Sequence, residues 1–152
     1  MKQMPYLERA KIQAEILLPL FRLLKVEIGE ERAGALLRAA VDEFATALGA
    51  EIGAQGEGTS LEKMQSAFRM FMADEALVLE PVAHTANELS VNIRGCKYAE
   101  YFQDLGEAAF GAMLVCGIDP PMTAAVGPDL SLERTRTIMA GDSHCDFCFK
   151  QV

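Results

Sequence analysis

The hydrophobic period of this 152-residue chain changes once, near residue 75, and the change restricts the folds open to it. Before that point apolar residues recur every three or four positions, the spacing of helices with one buried face. "LERAKIQAEILLPLFRLLKVEIG" reads as a first helix, with Pro19 placed to kink it and Gly29 to stop it. A second helix puts Ala33, Leu36, Leu37, Ala40, Val41, Phe44 and Leu48 on one stripe. It ends at "GAEIGAQGEG", which lacks the Lys and Ser/Thr of a phosphate loop, follows no strand, and reads as a flexible connection. "TSLEKMQSAFRMFMAD" opens with a Thr/Ser cap and turns Leu61, Met64, Phe68 and Phe71 to one side as core.

After residue 75 the period falls to two. In "LSVNIR", Leu89, Val91 and Ile93 face one way and Ser90, Asn92 and Arg94 the other. "ALVLEPVAH" supplies a partner strand, "TAN" the turn, and Pro81 confines that partner to an edge or bulge. Two short helices, "CKYAEYFQDLG" and "EAAFGAMLVCG", are divided at Gly106; "IDPPMTAAVGPD" reads as a loop. "LSLERTRTIM", the turn "AGDS" and "HCDFCFKQV" close the chain as a hairpin. The expected fold is α+β: N-terminal helices packed on a roughly four-stranded antiparallel sheet with helical insertions, ending in a C-terminal β-hairpin. No stretch rich in Pro, Gly or Ser divides it, so residues 1–152 form a single domain, 1–75 mainly helical and 76–152 mixed.

Composition narrows the function. A net charge of −8 opposes a phosphate backbone as partner, so nucleic acid is not expected. Arg22, Lys25 and Glu27 interrupt the longest apolar run before it nears the ~20 residues of a membrane span, and "MKQMPYLERAKIQ" is too charged for a secretory signal. A cytoplasmic protein is expected, with a small molecule as partner, no membrane, and association with further copies of itself left open. Four cysteines in such a chain read as reduced thiols used for packing, metal binding or chemistry.

The tail "AGDSHCDFCFKQV" carries a CxxC pair inside a predicted strand. Alternation puts Cys145 with Phe147 and Phe149 on one face and Cys148 with His144 and Asp146 on the other, so the two sulfurs point apart. Cys96 follows a strand, Cys116 ends a short helix and Cys145 follows the hairpin turn, so these three can converge. Three thiols with an acid or water could hold zinc. One thiol with an acid and a base could serve as nucleophile, with Asp119, Glu100, Asp142 and His144 the nearby candidates in sequence. Equally, cysteine is a small residue that often simply packs in a core. Arg134 is a candidate partner for a substrate carboxylate through paired charge-assisted bonds.

These residues also resemble a known family. "CKYAEYFQDLG", "CGID" and "ERTRTIMAGDSHCDF" are similar, in order and spacing over about residues 88–149, to the L-2-amino-thiazoline-4-carboxylic acid hydrolase family. The matching positions are Cys96, Tyr98 and Ala99; Cys116 and Asp119; Arg134, Thr135 and Thr137; then Gly141, Asp142, Cys145, Asp146 and Phe147. Lys97 and Cys148 depart from the pattern, standing where a proline and an arginine are expected. The resemblance implies a hydrolase that opens a cyclic amidine at a carbon–nitrogen bond. It implies Cys145, Cys96, Cys116, Asp119 and Asp142 as catalytic candidates, Cys145 first among them, with Arg134 and Tyr98 binding substrate. A similarity to four-vinyl-reductase type domains implies the alternative, a small-molecule-binding sensory module in which Cys96, Cys116 and Cys145 hold structural zinc.

Overall fold

The computed structural model describes residues 4–152. Among them are six α-helices, three short 3-10 turns and four strands, in an α+β arrangement. Helices α1 (Tyr6–Ile28), α2 (Glu30–Gln55) and α3 (Ser60–Phe71) precede β1 (Leu77–His84) and β2 (Glu88–Cys96). Then come α4 (Lys97–Asp104), α5 (Ala108–Leu114), α6 (Asp119–Val126), β3 (Leu130–Glu133) and β4 (Cys145–Gln151).

The sheet is antiparallel in the order β1-β2-β4-β3. Its alternation is the one the sequence predicts. Val91 and Ile93 sit opposite Phe147 and Cys145, and all four are buried on the face covered by helices. Phe68 of α3 meets Phe147 and Phe149 edge-on at 5.7 and 6.1 Å, locking that helix to the sheet. Thr59 caps α3 in a reciprocal capping box with Glu62. β1 forms one edge, carries Pro81 and is broken by register shifts on either side of it; β3 forms the other.

Five expectations are corrected. The glycine-rich stretch is not a flexible connection at its start: α2 runs through Gly49 and Gly53 to Gln55. The glycines let α6 approach, since a Cβ at Gly49 would collide with the Met122 carbonyl oxygen and lie 2.8 Å from the Ala125 Cβ, and one at Gly53 would lie 2.5 Å from the Val126 carbonyl oxygen. The α2 stripe is correspondingly narrower, with Ala33, Leu37, Val41 and Ala45 buried while Leu36 and Ala40 are exposed. "DPPMTAAV" is helix α6, not loop, because two prolines in a first turn cost no helical hydrogen bond.

The last hairpin is also looser than a strand–turn–strand reading allows. β3 stops at Glu133 because the Asp146 carboxylate accepts bonds from the Thr135 and Arg136 backbone N–H groups (2.9 and 2.6 Å) and the Thr135 hydroxyl (2.5 Å). Those donors are thereby drawn off the ladder. Finally, Ala108–Val126 reaches 19 residues at a mean hydropathy of 1.4, enough by length and composition to cross a membrane, which revises the expectation that no run approaches that length. It is folded here as α5, a 3-10 turn and α6, with Asp119, Pro120 and Pro121 inside it.

Candidate functional site

A cavity of about 60 Å3 lies between the helices and the sheet, and the candidate residues of the sequence largely border it. Its apolar wall is made by Phe68, Phe71, Leu77, Ile93, Val115 and Phe147. Set into that wall are Tyr6, Cys96, Tyr98, Cys116, Asp119, Arg134, Thr137 and Cys145.

Each polar group arrives at the end of an element. Cys96 ends β2 and caps α4, its sulfur accepting a bond from the Ala99 N–H at 3.4 Å. Two residues on, the Tyr98 hydroxyl donates to the Phe71 carbonyl at 3.0 Å, tying α4 to α3. Cys116 lies in the 3-10 turn after α5, and Asp119 opens α6. Arg134, just beyond β3, reaches both: Nη1 donates to Asp119 at 2.5 Å and Nη2 to the Cys116 carbonyl at 3.1 Å. Its guanidinium lies 5.1 Å from the centre of the Phe147 ring. Cys145 begins β4 and accepts the Ile138 N–H at 3.3 Å.

Three candidates, Glu100, Asp142 and His144, do not border the cavity. Asp142, expected at the site, instead accepts the Thr137 N–H at 2.9 Å on an exposed turn, where it shapes the connection that carries Thr137. Cys148 faces the opposite side of the sheet, 3.8 Å from Glu88, as strand alternation requires.

The electrostatics separate the acids from the thiols. Burial pushes the Asp119 carboxyl up to about 6 although the Arg134 cation pulls it down. Its side chain keeps 20% of its surface, Arg134 keeps 14%, and both border the cavity. Burial also raises Cys96 to about 11 and Cys116 to about 12, and it raises Cys145 even though the Ile138 N–H opposes the shift. Asp146 behaves in the contrary way. Loss of solvent raises it, but the bonds from Thr135 and Arg136 outweigh that and hold it below its ordinary value. It is an anchor for the segment beside Arg134, and its outward place on β4 gave no sign of this in the sequence.

The zinc reading meets an obstacle in the donors themselves. Among the described residues no group of three or more His, Cys, Asp or Glu side chains is placed to hold a metal ion. Burial raises the Cys96 and Cys116 thiols, so a metal there would have to displace their protons.

One polar residue of the cavity escaped the sequence reading. Tyr6 of α1 is buried, and its hydroxyl is the buried side-chain polar atom without a hydrogen-bond partner among the described residues. Burial raises its pKa to about 12, with the Asp119 charge adding to the shift and Arg9 opposing it. In sequence it is indistinguishable from a core aromatic; only the orphaned oxygen reveals it. An unmet buried hydroxyl costs roughly 1–3 kcal/mol, so it is a place where a ligand atom is energetically wanted.

Comparisons with known proteins agree with this architecture. The family model for L-2-amino-thiazoline-4-carboxylic acid hydrolase matches residues 9–149, which extends the resemblance from the second half of the chain through the helices. No curated protein sequence matches. The phenol-responsive sensory domain of the transcription activator PoxR, solved with phenol, is 13% identical with a TM-score of 0.56, covering 99% of this chain and 76% of that one. A trafficking protein particle complex subunit 3 from Naegleria fowleri, covalently bound to palmitic acid, is 14% identical with a TM-score of 0.48 over 93% of this chain and 96% of its own. The first likeness is one of fold. With nearly its whole length matched, the chain belongs to the L-2-amino-thiazoline-4-carboxylic acid hydrolase family.

Proposed function

We propose that the cavity hydrolyses a carbon–nitrogen bond in a small cyclic amidine bearing a carboxylate, the class that includes 2-amino-thiazoline-4-carboxylate. The observation that carries this reading is the Asp119–Arg134 pair, a titratable acid and a fixed cation held together within apolar walls. Arg134 uses one N–H each on Asp119 and Cys116, and a guanidinium has further N–H groups to offer a substrate carboxylate. Asp119, raised to about 6, is suited to take a proton in one step and return it in the next.

The substrate enters as an amidinium. Water adds to its central carbon while Asp119 takes one water proton. When the tetrahedral adduct collapses, the ring C–N bond breaks, the hydroxyl becomes a carbonyl, and the Asp119 proton and the hydroxyl proton both end on the departing nitrogen, which leaves as an ammonium. Water is the nucleophile in this reading because burial keeps the three thiols protonated; the sulfurs serve as soft, polarizable walls. Cys145→Ser is accordingly expected to retain turnover within about tenfold, whereas a loss beyond about a hundredfold would make the thiol the nucleophile. The direct test is chromatographic detection of ring opening by the purified chain supplied with L-2-amino-thiazoline-4-carboxylate.

A second reading, a small-molecule-binding module without turnover, is favoured by the same protonated thiols, and a phenol-responsive sensory domain shares the fold. Saturable binding of the thiazoline carboxylate, or of phenol, with no product formed would support it. Both readings make one forecast for Tyr6. Tyr6→Phe should lower affinity for the bound compound about tenfold while leaving the melting temperature of the free protein unchanged or higher, because the hydroxyl has no partner to lose. Calorimetric titration beside thermal unfolding of the free variant checks it, and a destabilised free protein would assign the hydroxyl to structure.

A further inference from the structure

We propose that two copies of this chain pair through the outer face of α1, antiparallel about a two-fold axis level with Leu18 and Pro19. The helix is apolar on opposite sides. Ala10, Ala14, Leu18 and Phe21 enter the core. At 100° per residue, Ile12, Ile16, Leu20, Leu23 and Val26 fall on the other side within an arc of about 120°. All five are exposed, Ile16 by 71%, Leu23 by 65% and Val26 by 82%. They form a stripe roughly 21 Å long at the α-helical rise, a continuous apolar face of the kind that marks an interaction surface.

The charges beside the stripe identify the occupant. By the same angular spacing, Glu15 and Arg22 border one edge, while Arg9 and Glu27 lie on the stripe's own face, one beyond each of its ends, the Arg9 guanidinium also standing over the Tyr6 and Phe44 rings of its own chain. In an antiparallel two-fold pair, residues placed symmetrically about the axis on one edge face each other across the interface. Arg9 and Glu27 are centred on position 18, and so are Ile16 and Leu20; Glu15 and Arg22 are centred between 18 and 19. One axis therefore brings opposite charges together along the Glu15–Arg22 edge and at both ends of the stripe, and sets apolar side chains against each other between those ends. A surface that fits itself in this way is what an isologous contact requires. Arg22 also reaches Glu107 within its own chain at 2.5 Å while leaving 56% of its side chain exposed, so it remains open to a second acid.

Light scattering behind gel filtration, on the full chain over a dilution series, should give twice the 16.6 kDa chain mass. Ile16→Glu, a change to a solvent-facing residue, should give a monomer with unchanged helical circular dichroism. Glu15→Arg and Arg22→Glu should each weaken pairing roughly tenfold, since each replaces attraction by repulsion at two contacts. Mixing those two variants should restore it, because every charged contact on that edge is then opposite in sign. A parent that stays monomeric, including one that instead binds phosphatidylglycerol vesicles, overturns the proposal. So does an Ile16→Glu dimer, or a mixture that fails to re-associate.

Discussion

Asp119→Asn is expected to lower turnover of the cyclic amidine by roughly a hundredfold to ten-thousandfold, the usual contribution of a positioned acid–base group. Asparagine keeps the shape of the side chain and can still accept from Arg134, but it can neither take the proton from water nor return it to the leaving nitrogen. In the parent, activity should fall as pH drops through about 6, where the base becomes protonated. Stability should change in the opposite sense. A carboxyl whose folded pKa lies above its unfolded value binds more protons when folded, so its contribution is fully present below about 4 and is lost as pH rises through about 6. The loss amounts to at most about 3 kcal/mol. Denaturant unfolding from pH 4 to pH 7 should show that fall in the parent and a flatter profile in Asp119→Asn. Parallel profiles would place the titration on another group and remove Asp119 from its role.

Gly49→Ala should be the most destabilising of single-methyl changes. The added carbon meets the Met122 backbone carbonyl and the Ala125 Cβ, neither of which can rotate away. Overpacking of this kind costs about 1–3 kcal/mol or more, and the gain in helix propensity, about 1 kcal/mol, offsets only part. A drop in melting temperature of roughly 5 °C is expected for a chain of this size. Gly34→Ala is the matched control. There the nearest atom is the Arg38 Nη1, 3.2 Å from the added carbon at the tip of a flexible side chain, so the propensity gain should dominate and the melting temperature should hold or rise. If the two variants melt alike, close approach of α2 and α6 is not what the glycine serves. A shifted α6 also moves Asp119 from Arg134, so Gly49→Ala should lose ligand binding before it loses its fold.

What the sequence revealed was whatever obeys a short-range rule. Alternation in "LSVNIR" and "CDFCF" set the buried faces of β2 and β4, and with them the opposite directions of Cys145 and Cys148. The ends of elements brought Cys96, Cys116 and Cys145 to one cavity with Arg134 and Asp119. What stayed hidden depends on groups distant in the chain. Gly49 and Gly53 look like loop residues until α6 lies against them, and the prolines of α6 look like breakers unless they occupy its first turn. Asp146 shortens β3 through bonds made eleven and ten residues upstream. Asp142 stands in the motif yet serves the turn, because a carboxylate is as apt to bond a nearby N–H as to face a cavity.

The two ends of the sheet bear on how the protein behaves when crowded. A free strand edge is a template on which another chain can add a strand and begin a fibril. Here Pro81 withholds one donor from the outer side of β1, two irregularities in register bend that strand, and Glu80 sets a charge beside them. At the far side β3 offers only four residues, ending in Glu133. Neither margin presents the long, flat, uncharged ladder that templated aggregation needs. Recruitment of unfolded copies through the sheet is therefore expected to be disfavoured at both margins.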